Sequence, residues 1–125
     1  MDAATRAQVR ERAGYRCEYC QLHKVDSPLA ALHIEHIRPR KHGGTSELSN
    51  LALACIDCNL HKGPNLTGID PDTGQVTELF NPRIQSWEDH FVWRGIHVQG
   101  LTAIGRTTIE VLAMNSEDQL ALRSI

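Results

Sequence analysis

Residues 33–63 read His33-Ile34-Glu35-His36-Ile37-Arg38-Pro39, then Gly43-Gly44, then Asn50-Leu51, and close with Cys55-Ile56-Asp57-Cys58-Asn59-Leu60-His61-Lys62-Gly63. The rest of the chain is organised around this stretch. Leu32 to Ile37 alternates in polarity and predicts a short strand, which ends where Pro39 removes a backbone donor. A polar loop with Gly43-Gly44 follows. Leu51 to Ala54 is apolar enough for a second strand, and a brief helix from Cys55 to Lys62 is stopped by Gly63-Pro64. In that helix Cys55, Cys58, Asn59 and Lys62 fall at i, i+3, i+4 and i+7 and share one face, with His61 pointing away. Two thiols, an amide and a cation make a poor core stripe. A metal ion explains them most simply.

Working outward, Cys17-Glu18-Tyr19-Cys20 is a second C-x-x-C. One such pair alone serves equally as a redox couple, a disulfide or half of a zinc site. Two in a chain with no export signal match the four-thiolate tetrahedral arrangement, in which each knuckle supplies two ligands and the metal clips distant segments together. Cys17, Cys20, Cys55 and Cys58 are therefore expected to hold a structural Zn2+, with no position left for water. Cys20 and Cys55 are separated by 34 residues, wider than a zinc finger, so the strand-loop-strand is inserted between the knuckles.

This constellation resembles the HNH endonuclease family, in its zinc-bearing branch with two C-x-x-C pairs and its small stand-alone bacterial or phage-type members. The elements carrying the resemblance are Glu35-His36, Ile37, Pro39, Gly43-Gly44, Asn50-Leu51 and Cys55-x-x-Cys58-Asn59-x-x-Lys62-Gly63. It departs from the family name in one letter, because Asn59 stands where a second metal-binding His would. The resemblance implies an α+β fold with a ββα-metal core, the His-Me finger. It implies hydrolysis of DNA phosphodiester bonds, with His36 as general base and one Mg2+ or Mn2+ at Glu35 and Asn59. Asn50 would be a residue that positions the loop, although on local grounds it is also an ordinary turn asparagine.

Those residue types suit that chemistry independently. An imidazole titrates near neutrality and takes a proton from water. Carboxylate and amide oxygens suit a hard divalent ion that keeps positions open for phosphate and water. Glu35 and His36 point to opposite faces of a regular strand, so both serve one site only if the strand end bends. His33 shares the Glu35 face as a supporting partner, extra ligand or structural histidine. Arg38 and Arg40 sit in a basic loop that is either solvated or in contact with DNA, and Lys62 is a candidate to support the site or touch phosphate.

At 125 residues the chain is expected to be one domain: helix and first knuckle over 1–31, the motif over 32–63, and a supporting extension over 64–125. No spanning apolar run or leader is visible, which predicts a cytoplasmic protein with reduced thiols and no membrane partner. The formal net charge of −2 is weak for a nucleic-acid binder. It is also uneven: residues 1–65 carry nine Lys/Arg against seven Asp/Glu, and residues 66–125 carry four against eight. The basic half holds the motif but falls short of a strong phosphate-binding footprint, which predicts weak, salt-sensitive affinity for nucleic acid; the resemblance implies double-stranded DNA as that partner, bound by a monomer or weak dimer.

Ala3 to Ala13 predicts a helix, with Thr5 and Gln8 as its capping box, Gly14 after its end, Val9 and Ala13 inward and Arg6, Arg10 and Arg12 outward. Those arginines are either a solvated face or phosphate contacts. Gln21 to Ala31 is a connector. Asp70 to Gly74 forms a tight turn of a hairpin running into Val76–Phe80, and Trp87 and Trp93 are expected to fill core beneath it or to stack on bases. Ile96–Leu101 reads as a strand, Thr102 caps a helix to Met114, and Ser116 with Gln119 caps a last helix. Against the endonuclease stand a non-catalytic zinc-stapled module that binds nucleic acid or a protein, and a thiol-redox protein, which would need a thioredoxin-like unit that the pattern lacks.

Overall fold

A computed structural model describes residues 1–26 and 32–124, so the second part of the expected connector, 27–31, lies outside the described residues. The expected strand, loop, strand and helix are all present. β1 (His33–His36) pairs antiparallel with β2 (Leu51–Ala54), His36 opposite Leu51 and His33 opposite Ala54, and α2 (Ile56–Lys62) follows directly. Every β2 residue is buried. On one side of it lies α1 (Ala3–Arg12), whose Val9 is fully buried. β2 also takes a second partner: Glu18 N donates to Leu53 O and the Glu18 carboxylate accepts from Leu53 N, both at 2.8 Å. The first cysteine knuckle is thereby laid along the central strand.

Beyond α2 the chain makes two more hairpins. β3 (Thr67–Ile69) pairs with β4 (Val76–Glu78), and the one-turn α3 (Trp87–His90) leads into β5 (Phe91–Arg94), paired with β6 (His97–Gly100). α4 (Ala103–Val111) and α5 (Glu117–Arg123) complete the chain, an α+β architecture as expected. Helix α4 sits so close to the end of α3 and to β6 that a Cβ on Gly105 would stand 2.1 Å from His90 O, and one on Gly100 would stand 2.5 Å from Arg106 N. Backbone approach of that kind admits only glycine.

The C-terminal half joins the motif half through aromatic packing. Phe80, 2 % exposed, meets Tyr19, His90 and Phe91 edge-to-face at 6.4, 5.7 and 5.2 Å, and the Trp87 indole N–H donates to Tyr19 O at 2.7 Å. Truncating such a ring typically costs about 3–5 kcal/mol. Arg83 adds a half-buried ion pair with Glu18.

Three expectations need correction. Asp2, not Thr5, caps α1, accepting from Thr5 N at 2.8 Å, because the helix starts one turn earlier than a Thr5 cap would allow. Arg12 does not simply face solvent: its guanidinium donates to Leu48 O and Leu51 O, satisfying carbonyls where β2 begins. Trp93 is 39 % exposed and lies outside the core, tilted against Trp87 with the Arg123 guanidinium 5.1 Å above its ring.

Candidate active site and metal centre

The two knuckles converge. The Sγ atoms of Cys17, Cys20, Cys55 and Cys58 all lie within 4.8 Å of one another, and those of Cys20 and Cys55 are 3.6 Å apart. A tetrahedron with Zn–S of about 2.3 Å requires sulfurs about 3.8 Å apart, so the donor set and spacing fit a structural zinc. In both knuckles a backbone amide is aimed at the first sulfur: Cys20 N at Cys17 Sγ and Cys58 N at Cys55 Sγ, each at 3.4 Å. Burial pushes the Cys17 thiol well up, and a dication is what would hold several buried thiolates together. A further donor comes from the far end of the chain. Gln119 of α5, fully buried, directs Nε2 at Cys55 Sγ (3.6 Å) and the Asp57 carboxylate (3.5 Å), while its Oε1 has no partner among the described residues. Nothing in the local sequence flagged Gln119 beyond its part in a helix cap.

The proposed catalytic residues occupy two environments. Glu35 is 6 % exposed and its carboxylate is engaged on both oxygens, by the Tyr19 hydroxyl and by Lys62 Nζ at 3.1 Å. Burial raises the carboxyl, with Lys62 pulling the other way. Tyr19 is raised well up by burial and the facing carboxylate, so its hydroxyl stays protonated and donates. Lys62, 2 % exposed, also donates to His36 O (3.3 Å) and Ile37 O (2.9 Å). It ties the end of β1 to α2.

His36 is the alternate residue of the strand and emerges half-buried on the other side. Its Nε2 lies 2.9 Å from Ser46 Oγ, which accepts from Arg40 at 3.1 Å, leaving Nδ1 without a partner among the described residues. Burial first, then Arg40 and Lys62, lower its titration, which favours the neutral imidazole at physiological pH. Asn50 holds the loop that carries Ser46. Its amide accepts from Arg38 N (2.8 Å) and donates to Arg38 O (3.0 Å) and Thr45 O (2.7 Å), while its own carbonyl accepts from Ile37 N. Gly44 is required there, since a Cβ would stand 1.7 Å from Arg38 O. Arg38 itself donates to His42 O at 3.3 Å. Ser46 was missed by sequence reasoning, because only the folded loop returns it to the end of β1.

Asn59 and His33 face a different opening. Together with Arg6, Arg10, Leu32 and Ile34 they line a cleft of about 380 Å³ beside β1. Glu35 does not line it. The structure thus brings Asn59 to His33 and binds Glu35 to Lys62, with His36 at the strand's far end.

Residues 17–65, spanning both knuckles, β1, the Asn50 loop and α2, match the model of the HNH endonuclease family. This is an HNH segment. Around it, the chain is 25 % identical over 112 residues to the Septu protein PtuB of Bacillus thuringiensis. That alignment covers 88 % of this chain and 40 % of the relative, so the chain spans about two-fifths of the length of the curated relative it matches. No solved structure matches. The likeness to the Septu protein extends past the HNH segment into the aromatic and C-terminal elements that pack against it. No helix among the described residues is long and apolar enough to cross a membrane.

Proposed function

We propose that the chain is a metal-dependent HNH endonuclease that hydrolyses phosphodiester bonds in DNA, with His36 as general base. The observation that carries the proposal is the His36 imidazole itself: part-exposed, held through Nε2 by Ser46, electrostatically biased to the neutral form, and with Nδ1 unpartnered among the described residues. Geometry of this kind lets a neutral histidine take the proton of an attacking water. Asn50 is a positioning residue, since its three amide hydrogen bonds fix the loop from which Ser46 reaches His36. Arg40, donating to the same Ser46 oxygen, stands close enough to His36 to draw phosphate towards it.

A Mg2+ or Mn2+ ion would supply charge neutralisation at the phosphate and at the departing oxygen. The side chains proposed to hold it are Asn59 and Glu35. Glu35 would do so by exchanging one cation partner for another, releasing Lys62 as the divalent ion arrives. Reduced thiols at the zinc cluster accord with work in a cytoplasmic, reducing compartment.

The same carboxylate favours a second function. A Glu35 closed off by Lys62 and Tyr19 suits a zinc-stapled nucleic-acid-binding module without cleavage. One experiment separates the two: purified protein is incubated with supercoiled plasmid, with and without Mg2+ or Mn2+, beside His36→Ala. The endonuclease predicts ion-dependent nicking or linearisation, reduced at least about a hundredfold in His36→Ala, a loss in the range of general-base catalysis, with melting and zinc content unchanged. Equal cutting by the variant would remove His36 from the mechanism. No cutting by either protein, with plasmid still retarded on a gel, would establish the binding module.

A further inference from the structure

Of the ten arginines in the chain, eight donate hydrogen bonds from their side chains to described residues. Arg6 and Arg10 do not: neither guanidinium has a hydrogen bond or an ion pair with any described residue. These two lie at i and i+4 on α1 and line the same cleft. The other polar side chains there, His33 and Asn59, also make no side-chain hydrogen bond among the described residues. Among the described residues no acidic side chain lines the cleft. Four side chains that carry donors therefore converge on an open space with nothing among the described residues to accept from them. Unpaired donors gathered in this way call for an anion with several acceptor oxygens, and paired guanidinium forks suit the geometry of phosphate.

We infer that this cleft is a phosphate clamp, in which Arg6 and Arg10 grip the sugar-phosphate backbone of a nucleic acid that also passes His36. The inference rests on the proposed nuclease function and adds the substrate-holding surface to it. His33 and His36 are three strand residues apart, about 10 Å along β1. The clamp thus lies at the other end of β1 from His36 and sets where the nucleic-acid strand lies. α1 precedes the segment that matches the HNH family, so the clamp is an addition to that segment. It also accounts for how a chain of formal charge −2 can hold a polyanion. Most of its arginines are committed to the fold, and two are kept for the ligand.

The test uses the whole zinc-loaded chain carrying His36→Ala to prevent cutting, and fluorescently labelled duplexes of DNA and of RNA, with binding read by anisotropy as salt is varied. Removing one arginine–phosphate interaction should lower the slope of log affinity against log salt by about one. Arg6→Ala/Arg10→Ala should therefore reduce the slope by about two, and affinity at low salt by about tenfold or more. Arg6→Lys/Arg10→Lys should recover the slope by restoring charge, and Arg94→Ala, at a guanidinium committed to Gln99, should change nothing. The two duplexes identify which backbone is gripped. An unchanged slope in the alanine pair, or no binding of either duplex by the parent, overturns the clamp. Binding with the predicted slopes, together with wild-type protein that fails to nick plasmid, overturns the nuclease function and leaves the clamp standing.

Discussion

The sulfur cluster and the cleft beside β1 are both places for an ion, built on opposite principles. At the cluster every ligand is buried and the spacing closes a tetrahedron, and backbone and side-chain donors already face the sulfurs. In the cleft the donors are open and have no partner among the described residues. A closed coordination sphere contributes to folding, whereas open donors cost little to the fold and wait for a ligand. Substitutions should divide accordingly.

The largest effect is expected at the cluster. Cys58→Ser removes one of four thiolates from a site whose metal, in comparable structural centres, is worth about 10–16 kcal/mol. A domain of this size has a total stability of about 5–15 kcal/mol. The variant should lose its zinc by elemental analysis and its cooperative melting transition by circular dichroism. Retention of both would break the contrast, because the cluster would then be no more structural than the cleft.

A smaller but still large effect is expected at the buried pair between the two regions. Lys62→Met leaves the Glu35 carboxylate in the interior with only the Tyr19 hydroxyl, and breaking a buried pair from one side costs about 3–5 kcal/mol. The sign with pH follows from burial, which raises the Glu35 carboxyl even beside Lys62. An acid whose folded-state pKa is raised stabilises the fold below its unfolded value and loses that contribution as pH rises through the folded value. Without Lys62 the raise grows. The penalty should therefore be smallest at acid pH and grow as pH rises, in denaturant titrations of both proteins. A penalty independent of pH would mean that Glu35 is not the group stranded by the substitution.

What was legible in the sequence follows the same division. The strands, α2 and the cluster could be read because alternation, glycine stops and C-x-x-C spacing are local signals. That Glu35 and His36 face different surroundings was also legible, from the period of two in a strand. Which partner awaited Glu35 was not: the helical face placed Asn59 and Lys62 side by side, and only packing decided that the lysine reached the carboxylate. The α1 arginines show the limit most clearly. Arg6, Arg10 and Arg12 look alike on a helix drawn alone, yet Arg12 is taken by carbonyls from residues 36 and 39 positions away and the other two have no partner among the described residues. Ser46 and Gln119 belong with them, since each acts on a group distant in the chain, and no local pattern encodes such a meeting.

The smallest effect tests whether the cluster is as closed as it looks. Gln119 is the C-terminal contribution to the metal centre, an N–H directed at Cys55 Sγ from a helix 64 residues away. A donor to a thiolate drains charge from the sulfur and keeps the ligand oriented, and removing such outer partners typically weakens metal affinity by about 10–100-fold. At 3.6 Å the interaction is long, which favours the low end. Gln119→Leu keeps the volume, removes the N–H and also removes the orphaned Oε1, whose burial is itself unfavourable. Those two changes oppose one another in stability but not at the metal. The melting temperature should therefore move little, while zinc should pass to a chromophoric chelator about tenfold faster. Unaltered transfer kinetics would reduce Gln119 to packing and leave the centre complete within the two knuckles. Faster transfer would show that α5, outside the matched HNH segment, belongs to the machinery that keeps the metal in place.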